Sequence, residues 1–145
     1  MPEKPERPEV RPARPADRDA AVELLDAAML EVDSGEVRRR IEAGDVLVAD
    51  AETRLVGVCV LKPGGGERGN ESEITHVAVH RSRRARGLGR KLVEAAAART
   101  DGPLTATFRG QVRPFYEAVG FEVEPEDEDE DEDENENGRF RGRLR

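Results

Sequence analysis

At 145 residues, 36% of them hydrophobic, the chain is sized for one compact domain with a single core. A net charge of -8, from 32 acidic against 24 basic residues, argues against global binding to nucleic acid. No apolar run reaches bilayer length, one cysteine cannot form an internal disulfide, and the Pro- and charge-rich N-terminus lacks a signal-peptide pattern, so the expected setting is cytoplasmic, with no membrane partner.

Residues 1–9 are polar and proline-spaced and are expected to form a disordered arm, leaving 10–145 as the domain. Val10 to Arg14 suits a short strand, and Pro15-Ala16-Asp17 a turn with Asp17 as N-cap. Apolar residues then recur at helical spacing from Asp19 to Val32. Ser34 offers a second N-cap, for a shorter helix stopped by Gly44. The period changes to two for strands at Val46–Ala51 and Arg54–Leu61, and a loop follows from Pro63 to Asn70. Ile74–Val79 predicts a strand, Leu92–Ala98 a helix beginning near Gly87, and Leu104–Phe108 a strand. Val112–Val119 predicts a helix that tolerates Pro114 in its first turn and ends at Gly120, before a strand at Phe121–Val123. Residues 124–137 are almost wholly acidic and predict a solvated loop. The final segment alternates strictly, Arg139, Arg141, Arg143 and Arg145 against Phe140, Gly142 and Leu144, as a strand does. The order β-α-α-β-β-β-α-β-α-β-β is that of a mixed α/β domain. Cys59, inside an apolar run, reads as a small hydrophobe.

Chemistry concentrates between Ile74 and Leu92. An apolar strand enters a basic, glycine-containing turn, Arg81 to Gly89, that opens a helix. Backbone N–H groups at a helix N-terminus suit a pyrophosphate. Gly87 and Gly89 remove side chains that would keep a phosphate from the backbone, and the arginines add charge-assisted bonds.

Arg84-Ala85-Arg86-Gly87-Leu88-Gly89 resembles the R-x-x-G-x-G signature of the GCN5-related N-acetyltransferases. Phe115-Tyr116-Glu117-Ala118-Val119-Gly120-Phe121 resembles the family's second signature, F-Y-x-x-x-G-F, in the right order and after an intervening strand. The resemblance covers residues 10–123 and the last strand. It implies a mostly antiparallel twisted sheet of about seven strands flanked by about four helices, with acetyl-CoA as cosubstrate and no metal. Val77 and Val79 would offer backbone groups to the pantetheine arm and acetyl carbonyl. Arg84, Ala85, Arg86, Gly87, Leu88, Gly89 and Arg90 would form the pyrophosphate site. Tyr116 would protonate the departing thiolate. Glu73 is the first candidate for general base and His76 the second, although many members of the family deprotonate the amine through water. The acceptor would be a small-molecule, peptide or protein amine, and dimers are frequent in the family. Arg109, Val112 and Arg81 depart from residues that are common in it.

Other readings stand beside this one. Tyr116 can be a core aromatic, Glu73 an ordinary strand carboxylate, and His76 and His80 ordinary strand residues. The whole chain can be a non-catalytic acyl-CoA sensor of the same fold, or an Arg-rich nucleic-acid-binding protein that the net charge disfavours. Three lysines and 3% aromatics resemble proteins of a salt-rich cytoplasm, where surface repulsion is screened.

Overall fold

The computed structural model describes residues 8–28, 32–52, 54–65, 71–83, 87–100, 102–125 and 139–144. The strands are β1 (Glu9–Pro12), β2 (Val46–Asp50), β3 (Leu55–Gly65), β4 (Glu71–Val79), β5 (Leu104–Arg109), β6 (Glu122–Pro125) and β7 (Arg139–Leu144). The helices are α1 (Arg18–Ala27), α2 (Ser34–Glu42), α3 (Leu88–Arg99) and α4 (Arg113–Val119). They follow the expected order and build a mixed, mostly antiparallel sheet of strand order β1-β2-β3-β4-β5-β7-β6. β4 and β5 pair in parallel. The chain divides into two compact units, Met1–Leu61 with His76–Ala96 and Lys62–Thr75 with Ala97–Arg145.

In the first unit, Val46, Leu47, Val48 and Ala49 of β2 are all buried, because the strand is covered on both faces. Val46 and Val48 pack with Leu24 and Leu25 of α1, Val37 and Ile41 of α2, and Val58 and Val60 of β3. On the other face, Ala49 lies opposite Gly57, and a Cβ at Gly57 would come within 2.9 Å of Leu92 on α3. Arg11 ties β1 inward, donating to Asp17 at 2.9 Å and to Asp50 at 3.0 Å. The Arg11 hydrogen bond holds the Asp17 carboxyl below its ordinary value, and the Glu52 N–H, then Arg11, does the same for Asp50.

In the second unit, β5 pairs along its length with β7, and β7 with β6. The register separates two faces. Leu104, Ala106 and Phe108 align with Leu144, Gly142 and Phe140 on one. Thr105, Thr107 and Arg109 align with Arg143, Arg141 and Arg139 on the other. The alternation read in the last segment is therefore that of a strand with one apolar and one cationic side.

Several boundaries differ from expectation. The N-cap of α2 is Asp33, which accepts from the Gly35 N–H at 3.2 Å, rather than Ser34. Asp17 makes no side-chain cap for α1; it closes a 3-10 turn at Pro15–Asp17, accepting from the Arg14 N–H at 2.7 Å. α1 ends at Ala27, and Val32 is outside any helix. β3 runs through Pro63 to Gly65, beyond its last pair with β2 at Val46↔Val60, where a missing N–H removes no bond to β2. β4 begins at Glu71, ahead of the expected Ile74, because Ser72 and Glu73 pair with β5. β6 takes in Glu124 and Pro125, within the expected acidic loop, and 126–138 lie outside the described residues, as do 1–7 of the expected arm. No helix among the described residues is long and apolar enough to cross a membrane.

Candidate active site

The candidate residues fall into a strand-turn-helix in the first unit and a sheet face with one helix in the second. In the first, β4 carries His76, Val77 and Val79, all half-buried, with Ala78 buried between the valines. Beyond β4, the His80 N–H donates to the Val56 carbonyl at 2.8 Å, which anchors the exit of the strand. His80 Nδ1 accepts from the Ser82 N–H at 3.1 Å and lies 2.9 Å from Ser82 Oγ. An accepting Nδ1 puts the neutral ring's proton on Nε2 and commits His80 to the turn. A 3-10 turn at Arg81–Arg83 follows.

Arg84, Ala85 and Arg86 lie outside the described residues; Gly87 lies within them. Its φ is +80°, a conformation that strains any L side chain, and among the described residues nothing lies within 4 Å of where a Cβ would be. The Lys91 N–H donates to the Gly87 carbonyl at 3.0 Å, so α3 begins there. The amides of Leu88, Gly89 and Arg90 are in the first turn, where an α-helix offers its N–H groups no internal carbonyl. The Leu88 side chain is buried and fixes this end of the helix. The Arg90 guanidinium donates to Glu94 at 2.9 Å, a surface pair one helical turn apart.

In the second unit, Glu73 lies half-buried opposite Thr105. Thr105 is buried and its hydroxyl donates to the Ser72 carbonyl at 3.4 Å. Two residues before Glu73, on the same face, the Glu71 side chain is 5% exposed and receives Arg143 Nη2 at 2.8 Å. A carboxylate this buried needs such a partner. Glu71, Thr105, Glu122, Glu124, Arg141 and Arg143 surround a cavity of about 270 Å³. None of these side chains was a candidate site residue in the sequence. The alternating Arg strand was a visible signal, but only its register with β4, β5 and β6 reveals the cavity.

Tyr116 is on α4, and its ring is buried among the phenylalanines. It stacks on Phe108 at 4.2 Å and 11°, and meets Phe115 at 4.9 Å and Phe121 at 5.1 Å edge-on. Gly120, at φ +115°, ends the helix and turns the chain so that Phe121 returns to that ring. The F-Y-x-x-x-G-F pattern is thus one local unit with the phenol fixed in its centre. Cys59 is fully buried, and burial pushes its thiol up to about 12, which removes it as a nucleophile.

Residues 42–123 match the family model described as the acetyltransferase (GNAT) domain. An acetyltransferase of the GNAT family from Bacillus cereus superposes with a TM-score of 0.76 at 14% identity, covering 96% of this chain and 97% of that one. Ard1 from Thermoplasma volcanium gives 0.69 at 17%, covering 95% and 96%. A chain of the NatC complex bound to Gag peptide and CoA gives 0.75 at 19%, covering 94% and 97%. No curated protein sequence matches. At these identities the structural likenesses speak for the fold, that of a single α/β domain with a seven-stranded sheet and four helices.

Proposed function

The chain belongs to the GNAT acetyltransferase family, and from that premise we propose that it is an N-acetyltransferase moving an acetyl group from acetyl-CoA to an amine by direct attack in a ternary complex. The observation that carries this is Gly87, left-handed and open, at the start of α3 and directly after the basic turn. A pyrophosphate there would meet the amides of Gly87, Leu88, Gly89 and Arg90, and Arg84, Ala85 and Arg86, which precede them in sequence, belong to the same proposed cofactor site.

The pantetheine arm would lie along the backbone of Val77 and Val79, and the Val79 N–H would polarise the thioester carbonyl. Glu73 takes the proton from the amine, directly or through water, with His76 the second candidate. The nitrogen attacks the carbonyl carbon, the C–N bond forms, and the tetrahedral intermediate collapses with loss of the C–S bond. Tyr116 donates its proton to the leaving thiolate, and the extra proton on the newly acylated nitrogen is released through water, which restores the phenol. Placement of both substrates supplies much of the acceleration, and no covalent enzyme intermediate is required. A small-molecule or peptide amine suits this scheme; a chain of similar fold belongs to the NatC complex bound to Gag peptide and CoA.

Titration of acetyl-CoA into the protein in molar KCl tests the premise. Binding in the range of about 1 μM to 1 mM is expected. Gly87→Glu/Gly89→Glu, which puts two carboxylates in the phosphate's path, should abolish it; equal binding by the double variant would exclude this turn as the cofactor site. The aromatic packing of Tyr116 also suits a non-catalytic acyl-CoA sensor, which would bind the cofactor with no amine-dependent release of CoA.

A further inference from the structure

The cavity of the second unit is built from a charged ladder. Across the sheet the register sets Glu73 opposite Thr105, Thr105 opposite Arg143, and Arg143 opposite Glu122. The next row sets Thr107 opposite Arg141 and Arg141 opposite Glu124. Glu73 and Arg143 are thus two strand spacings apart, roughly 10 Å between backbones, with the short Thr105 between them. Thr105 is the short residue among the charged side chains that line the cavity, and Glu73 stands across Thr105 from Arg143, outside that lining.

The walls of the cavity have both signs of charge. Glu71 is matched by one donor of Arg143, while Arg143 Nε is buried and has no hydrogen-bond partner among the described residues. A buried donor without an acceptor is costly, and an entering carboxylate would supply one. The Arg143 side chain is 37% exposed, so the guanidinium can adjust to a guest. A simple anion would face Glu71, Glu122 and Glu124, and a simple cation would face Arg141 and Arg143. A small zwitterion satisfies both.

We propose that the cavity over Thr105 is the acceptor subsite for a free amino acid, its carboxylate held by Arg143 and Arg141 and its amine turned toward Glu73. This rests on the acetyltransferase reading for the catalytic step, whereas the binding itself does not depend on it. The carboxylate contact is charge-assisted and can be bidentate, which fixes the orientation of the adjacent nitrogen. Glu122 and Glu124 line the cavity and favour ligands that carry a positive group.

The test uses the full chain in molar KCl. Each of the twenty amino acids is compared with its decarboxylated amine, by calorimetric binding in the presence of CoA and by CoA release from acetyl-CoA. At least one amino acid should bind and turn over with kcat/KM tenfold or more above its amine. Arg143→Gln/Glu71→Gln, which removes both partners of the buried pair together, should bring that ratio close to one. Arg141→Gln, outside the pair, should lower it by less and guards against misfolding of the first variant; retained acetyl-CoA binding shows that either variant is folded. Amino-acid binding without CoA release supports the subsite and removes the acetyltransferase reading. Turnover of amines with no preference for the carboxylate overturns the subsite and leaves the acetyltransferase reading standing. Failure of every amino acid to bind, or an unchanged ratio in both variants, also overturns the subsite.

Discussion

The first unit buries β2 between α1 and α2 on one face and α3 on the other, with aliphatic side chains in both directions. The second unit packs β5 and β7 on one face against an aromatic group, Phe108, Tyr116, Phe121 and Phe140, and keeps the opposite face as rows of Thr, Arg and Glu. One sheet thus contains a two-sided hydrophobic scaffold and a one-sided support for polar chemistry. A strand covered on both faces cannot present a side chain to a substrate. A strand with one polar face can, provided its charges are paired or have a ligand.

That contrast predicts that substitutions in the aliphatic core around β2 and substitutions in the second unit will affect different quantities. The largest effect expected is on rate, from the second unit: Tyr116→Phe should lower kcat by about 10²–10⁴-fold while acetyl-CoA still binds, measured by steady-state CoA release beside calorimetry. An unchanged kcat would return Tyr116 to the aromatic core alone. The next is on stability, from the first unit: Leu25→Ala should cost about 2–5 kcal/mol in denaturant unfolding, with kcat per folded molecule retained. A fall in kcat as large as that of Tyr116→Phe would erase the division between scaffold and chemistry. The smallest concerns acid. Asp17 has a lowered carboxyl, so it contributes stability above its ordinary value of 3.8, and that contribution is lost as pH falls through the folded value. Asp17→Asn should melt below the parent protein at neutral pH, and the gap should close as pH drops below 3.8. A pH-independent gap would mean that the carboxyl acts by packing rather than charge.

The order of strands and helices was legible because each element has a local signature: a 3.6 or 2.0 period, a glycine stop, a proline in a first turn. The failures were places where two local solutions competed or a distant partner decided. Asp33 and Ser34 are both good caps, and the extended backbone at Asp33 selects the first. Asp17 does stand at the N-cap position of α1, but its carboxylate is taken by Arg11 and the Arg14 N–H instead of the helix amides. Glu71, Ser72 and Glu73 look too polar for a strand until Arg143 and Thr105 are placed beside them. The glycine-rich turn and the F-Y-x-x-x-G-F unit are short-range patterns and were readable as motifs. The charged cavity depends on residues more than thirty positions apart in the chain, and no single-segment pattern encodes that register.

The burial of Cys59 makes the chain its own opening reporter. Alkylating and disulfide reagents attack the thiolate, and a fully buried thiol pushed up to about 12 offers them almost none. Labelling of the native protein must therefore wait for β3 to be uncovered, when the thiol returns to ordinary acidity. With excess reagent, the labelling rate clocks excursions of the aliphatic unit without any added probe.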